Sequence, residues 1–287
     1  MLATSNSGPF VPRARGYPWG SSERRLSRVL AIVLLGLVLP LLPPALLSAE
    51  TNSSPSVDRS AIVHRTENIF NQARRLYLAE TNNVELAWQF GRACFDWADC
   101  STRSAQRAAI AQEGIAACRN AIVKDPGSVP SHYYLAMDQG QLAQTKELSA
   151  LWLVDQMETE FKLALSLDPN FDYAGPDRNL GLLYLDAPGW PASIGNNAKA
   201  RLHLQEALKI APRYPENLLN LIDAEIQWGE RGPARHRLRT LDELWPSAQR
   251  EFAGDQWIAS WLDWEKRRTE LRAKAGESES PHSSSKK

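Results

Sequence analysis

The sequence predicts an all-α fold, a solenoid of antiparallel helix pairs. Three observations carry that prediction. Four apolar-periodic segments end alike, "AIVKDPGS", "ALSLDPNF", "ALKIAPRY" and "TLDELWPS". Residues of the same kind recur at fixed offsets before each of their prolines. No segment of useful length alternates with the period of a strand.

The four prolines are Pro126, Pro169, Pro212 and Pro246, separated by 43, 43 and 34 residues. The last spacing is the period of the tetratricopeptide repeat (TPR), two antiparallel helices per unit. Counting back from each proline, the second helix needs a small, then a bulky, then a small residue. Small residues let two helices approach, and the bulky one fills the groove between them. Ala200, Leu204 and Ala207 fit this row, as do Met157, Phe161 and Ala164. Gly114, Cys118 and Ala121 fit it too, and Ala234, Leu238 and Leu241 complete the set. The first helices carry a matching element in Leu180, Gly181 and Tyr184, in Leu135 and Ala136, and in Phe90, Gly91 and Cys94. Leu221 gives the weakest match.

These registers place repeats at about 84–126, 127–169, 170–212 and 213–246 in a helical domain spanning 58–274. Only the last repeat has the ordinary spacing between its helices. In the third, "GWPASIG" must be loop, because Pro191 and Gly195 break helix. In the second, "LAQTKELSALW" has neither Gly nor Pro and is expected to be a longer loop or to lengthen both helices. Trp190, between the two prolines of "PGWP", either folds back over the hairpin seam or stands at the rim as a partner contact. A helix before the first repeat puts Ile62, Ile69, Phe70, Ala73, Leu76 and Tyr77 on one stripe. A capping helix over 255–274 is expected to start after Asp255 as N-cap, with Trp257, Trp261 and Trp264 inward and a charged second half outward.

Composition bounds the function. The chain has 287 residues and a formal net charge of zero, which offers no electrostatic case for nucleic acid. Its 10 tryptophans suit large buried anchors. Residues 1–49 read as a signal peptide or an N-terminal membrane anchor, since arginines precede the uncharged run "VLAIVLLGLVLPLLPPALL". A linker at 50–57 follows, and 275–287 is polar tail expected to be disordered. The domain is therefore expected outside the cytoplasm, in the periplasm, or held at the inner membrane if the segment is not cut.

Chemistry is scarce. No two of the five histidines share a metal-binding spacing. No nucleophile elbow, Walker loop or dinucleotide fingerprint is present, so neither catalysis nor a cofactor or metal is expected. The register makes neighbours of Cys94 and Cys118, leaving a disulfide or buried thiols as alternatives and Cys100 over. A solenoid binds along its concave face, lined by first helices. The residues aimed there are Trp88, Arg92, Phe95 and Asp96, then Tyr133, Met137 and Gln141, then Arg178, Leu182 and Asp186, then Asp223 and Gln227. That mixture of apolar and charged groups suits a protein partner. A pocket for a small solute is the alternative, as is a membrane-anchored assembly organiser.

The run "GPDRNLGLLYLDAPGWPASIG" followed by "KARLHLQEALKIAPRYPEN" resembles the T-component family of TRAP transporters, extracytoplasmic TPR proteins. That resemblance covers roughly 85–250 and implies a non-enzymatic scaffold beside a transport-associated solute-binding component. Members are often lipoproteins, whereas this chain has no cysteine near its apolar run. A weaker similarity is to the regulator-of-microtubule-dynamics TPR proteins, which also begin with an apolar segment.

Overall fold

The structure is a computed structural model that describes residues 59–146 and 150–276. The signal or anchor, the whole linker and most of the tail lie outside those residues. Within them the chain forms α1 (Arg59–Ala79), α2 (Val84–Cys100), α3 (Ser104–Lys124), α4 (Val129–Ala143) and α5 (Leu151–Leu167). It continues through α6 (Phe171–Asp186), α7 (Asn197–Ile210), α8 (Pro215–Gln227), α9 (Arg231–Glu251), a 3₁₀ turn (Asp255–Trp257) and α10 (Ile258–Ala275). Helices α2 to α9 are four antiparallel pairs stacked in order, so the fold is the predicted TPR-like α-solenoid. No named strand occurs among the described residues, only an isolated bridge between Gly189 and Gly195.

Local chemistry sets several boundaries. Asn83 caps α2, its Oδ1 accepting from the amides of Glu85 at 3.0 Å and Leu86 at 3.3 Å. Asn196 caps α7 through the Lys199 amide at 3.0 Å. Pro130 and Pro215 sit in the first turns of α4 and α8, where no intrahelical amide bond is lost. Gly229, at φ 79°, makes the tight turn from α8 to α9, in a region that costs other residues energy.

The second-helix rows are buried throughout: Gly114, Cys118 and Ala121; Met157, Phe161 and Ala164; Ala200, Leu204 and Ala207; Ala234, Leu238 and Leu241. The small residues are small because helices touch there. A Cβ on Gly181 would lie 2.6 Å from Leu204 Cγ.

The C-terminal cap closes the stack with rings. Trp257 and Trp264 are buried beside Tyr214 and Phe252, and Trp261 Nε1 donates to the Phe252 carbonyl at 2.7 Å. Glu216, buried in α8, accepts from Trp264 Nε1 at 2.6 Å and from Arg267 Nη1 at 2.5 Å. This ties the cap to the last repeat.

Three local expectations differ, and one left open gains its helix ends. Helix α9 does not stop at Pro246 but runs to Glu251, because Trp245, Ala248 and Phe252 continue its buried face onto the cap. Asp255 provides no side-chain cap; it opens the 3₁₀ turn, and α10 begins at Ile258. In the second repeat, where a longer loop and lengthened helices were both open, α4 ends at Ala143 and α5 begins at Leu151. On α1, Phe70, Ala73 and Tyr77 pack inward, whereas Ile69 and Leu76 are 43% and 46% exposed.

Candidate functional site

The twelve concave positions divide into two groups. Trp88, Arg92, Asp96, Asp186 and Asp223 are partly exposed and Gln227 is exposed. Phe95, Tyr133, Met137, Gln141, Arg178 and Leu182 are buried. Trp88 stacks on Tyr134, centroids 6.0 Å apart and planes at 7°, and its Nε1 donates to Glu85 at 2.8 Å. Tyr133 meets Phe161 and Phe171 edge-on. Met137 belongs to the core around α4, and Leu182 packs with Leu204 and Leu221. Gln141 accepts from Arg107 at 2.8 Å and donates to Asp99 at 3.3 Å. The middle of the predicted face is thus spent on holding repeats together, and its two ends stay open.

Beneath it lies a buried polar network. Tyr133 Oη donates to Asp172 Oδ2 at 2.6 Å, and Arg178 Nη2 donates to the same oxygen at 2.6 Å. Asn179 Nδ2 donates to Tyr133 Oη at 2.8 Å. Arg178 Nη1 also donates to the carbonyls of Asp172 at 3.0 Å and Tyr173 at 3.1 Å, and Asn217 Nδ2 donates to the Tyr173 carbonyl at 3.1 Å. These bonds act on unusual backbone. Asp172, Tyr173 and Ala174 all have left-handed conformations, with φ of 50°, 55° and 64°. Each costs a non-glycine residue roughly 1–2 kcal/mol, so the turn persists only under outside constraint. Gly175 then passes against Tyr133, where a Cβ would lie 2.7 Å from its hydroxyl, and Pro176 follows in right-handed helix. Burial pushes the Tyr133 hydroxyl well above its ordinary range, with the Asp172 charge adding to it. Burial works against the Arg178 cation, but Asp172, Tyr133, Tyr214 and Glu216 together more than offset it, and Arg178 stays charged.

A second interior cluster joins α2, α3 and α4. Asp138 is fully buried and neither carboxyl oxygen has a hydrogen-bond partner. It lies against Gly114, where a Cβ would collide with Oδ2, and Gly91 borders the Cys118 sulfur in the same way. Burial first, and the Asp96 charge second, raise the Asp138 carboxyl well above the carboxylate range. Burial and Asp138 likewise hold the Cys94 and Cys118 thiols high. Both are free thiols, as is Cys100, so the Cys94–Cys118 disulfide left open by the repeat register is not formed. Their thiol protons are retained in a low-dielectric site.

Two of the histidines are engaged in packing, while His64 and His236 are exposed. His132 lies 2.6 Å from Glu160 and 2.9 Å from the Pro126 carbonyl, and His203 lies 2.7 Å from Asp177 and stacks on Tyr184. Among the described residues no three or more His, Cys, Asp or Glu side chains converge as a metal site. No helix among them is long and apolar enough to cross a membrane.

The connection between α6 and α7 is ordered and pinned by its backbone. Gly195 donates to the Pro188 carbonyl at 2.8 Å, Asn196 to the Tyr184 carbonyl at 2.8 Å, and Ala192 to the Gly189 carbonyl at 3.1 Å. A side chain at Gly195 would collide with the Ala187 carbonyl. The Trp190–Pro191 bond is cis. Trp190 is 89% exposed, so it does not cover the hairpin seam; the loop directs it to solvent instead. Trp152, at the start of α5, is 52% exposed and is not singled out by the repeat register, which falls silent in the connections.

Residues 56–174 match the family described as regulator of microtubule dynamics protein 1-3. That is the second of the two resemblances drawn from sequence, and it covers the first two repeats; no match supports the TRAP T-component family. No curated protein matches the chain. The structure is similar to the crystal structure of TTC0263, a thermophilic TPR protein in Thermus thermophilus, at 15% identity, over 75% of this chain and 94% of that one, with a TM-score of 0.55. It is also similar to the crystal structure of MamA, at 18% identity, over 69% of this chain and 99% of that one, with a TM-score of 0.45. The likeness to TTC0263, together with the four helix pairs, identifies the chain as a TPR-like α-solenoid.

Proposed function

We propose that the chain is a non-enzymatic scaffold that binds a partner protein. One observation carries this reading: a pinned, ordered loop holds Trp190 89% exposed to water. A large ring kept off the core by a rigid backbone is the side chain type that anchors protein interfaces. The interior polar groups support the non-enzymatic part, because Arg178, Tyr133, Asn217 and Glu216 are committed to holding backbone and cap. The aromatic cluster of Tyr133, Tyr134 and Phe171 packs on itself, which favours a polypeptide on the surface over a small solute inside.

Placement outside the cytoplasm rests on the arginine-flanked apolar run before residue 50. The association with a transport component rests on the sequence resemblance of the third repeat, and one with microtubule dynamics on the family matched by the first two. Placing a photoactivatable phenylalanine analogue at Trp190, Trp88 and Gln227 of the full chain in its native host tests the reading. A discrete protein adduct at one or more positions is expected. Absence of any protein adduct at all three, with a co-purifying small molecule instead, would overturn it. N-terminal sequencing of the mature chain decides between a cleaved signal and an anchor.

A further inference from the structure

The two ends of the stack meet. Helix α1 packs on α2 at one end, and α10 packs on α8 and α9 at the other. Yet Arg65, in the second turn of α1, donates from Nη1 to the Asp255 carbonyl at 3.3 Å, and the same nitrogen lies 3.5 Å from the Asp255 carboxylate. The two residues are 190 positions apart, and all four repeats lie between them. The stack therefore curves far enough for its ends to touch, and its concave side is the side they enclose. Arg92, in the first repeat, likewise stands within electrostatic reach of Asp172, in the third.

Each partner is positioned by its own end. Helix α1 is anchored through its second half, where Phe70, Ala73 and Tyr77 pack with Phe90 and Arg74 pairs with Glu113 at 2.7 Å. Asn120 adds a bond to Tyr77 Oη at 3.3 Å. Before Phe70, Ile62 and Val63 are half-buried and belong to no core cluster among the described residues. On the cap, Gly254, at φ 101°, turns the chain from α9 into the 3₁₀ turn that Asp255 opens. The Asp255 carboxylate makes no helix-capping bond and faces Arg65 instead. Neighbouring charges are matched elsewhere, Glu251 by Arg213 at 2.7 Å and Arg74 by Glu113.

We infer that Arg65 and Asp255 form an electrostatic clasp that closes the ends of the solenoid around its concave face and opens to admit a partner there. The clasp belongs to the free chain, and what it admits rests on the scaffold reading. Its two side chains are 44% and 78% exposed. Exposed pairs are weak and screened by salt, so this one opens and recloses rather than locks. Because α1 is held by its second half, its first half can swing without uncovering a core cluster. Trp88, in the first repeat, is partly exposed and Gln227, in the last, is exposed, so both ends of the concave face are left for a partner.

Double electron–electron resonance of the full chain tests the clasp. Nitroxides are carried by a keto-bearing amino acid at His64 and at Ala253, both exposed, with the cysteines untouched. The parent should show a short distance at low salt and a growing long-distance fraction as salt rises. Asp255→Arg should raise the ratio of open to closed chain about fivefold, and so should Arg65→Asp. Joint Arg65→Asp and Asp255→Arg should return the ratio toward that of the parent. The substituted side chains are exposed, so helical circular dichroism should be kept. Distances indifferent to salt and to both reversals overturn the clasp, as does a double variant no more closed than the single ones. Photo-crosslinking in the native host reads the gate: Asp255→Arg should raise protein adducts at Trp88 about fivefold and leave those at Trp190 unchanged. Equal adducts at Trp88 in parent and variant overturn the gating. Distances that respond as expected, with no protein adduct at Trp88, Trp190 or Gln227, would sink the scaffold reading and leave the clasp standing.

Discussion

Arg178 grips Asp172 twice, donating one guanidinium nitrogen to its carboxylate at 2.6 Å and the other to its backbone carbonyl at 3.0 Å. Both side chains are buried. The pair therefore fixes a left-handed turn as well as a charge. Replacing Arg178 by Met should leave the Asp172 carboxylate buried and uncompensated, at a loss of about 3–5 kcal/mol in urea unfolding. Arg178→Lys should fail nearly as badly, because one ammonium cannot span the carboxylate and two carbonyls. A loss under about 1 kcal/mol in either would contradict the role given to the pair.

Asp138 gives a pH signature of the opposite sense to a salt-bridged carboxylate. Its carboxyl is held above the usual range by burial, so the folded state keeps a proton that the unfolded chain releases near pH 4. The folded state binds more protons above that point, and stability falls as pH rises toward the folded value, by about 1.4 kcal/mol per pH unit. Asp138→Asn has no such titration. Its stability relative to the parent should be smallest near pH 4 and greatest at neutral pH, in denaturant midpoints measured from pH 4 to 7.5. A difference independent of pH would refute the assignment.

Thiol reactivity should separate the three cysteines. Cys94 and Cys118 are buried and their thiols are held protonated, whereas Cys100 is partly exposed. Iodoacetamide at pH 8, followed by mass mapping, should label Cys100 first. Cys94 and Cys118 should label only on unfolding. Early labelling of Cys118 would mean that the α2–α3–α4 junction is open.

Two tryptophans should behave oppositely. Trp264 is fully buried and donates to Glu216, so Trp264→Ala should cost about 3–5 kcal/mol. Trp190→Ala should change stability by less than about 0.5 kcal/mol. Thermal melts of the two variants check both; a large loss at Trp190 would return it to the hairpin seam.

Much of the fold was legible because helix crossings demand small residues at fixed offsets. Gly181 faces Leu204, and no larger side chain fits, so the row shows in the sequence. Pro246 misled for a local reason: proline removes one bond, but Trp245, Ala248 and Phe252 bury enough surface to carry α9 onward. The left-handed turn had no local signal, since Asn217, which holds the Tyr173 carbonyl, lies in the next repeat. The concave face was misread because register gives a side chain's direction, not what stands opposite. Tyr133 points where expected and meets Asp172 there. Trp190 was visible as an oddity between prolines, but only the hydrogen bonds of its loop choose solvent over seam.

Photo-crosslinking of the full chain in its native host, from an analogue placed at Trp190, tests the binding of a partner protein most directly. A discrete protein adduct is predicted at this position, which the pinned α6–α7 loop holds 89% exposed. No protein adduct at Trp190, Trp88 or Gln227, with a small molecule co-purifying instead, would contradict it.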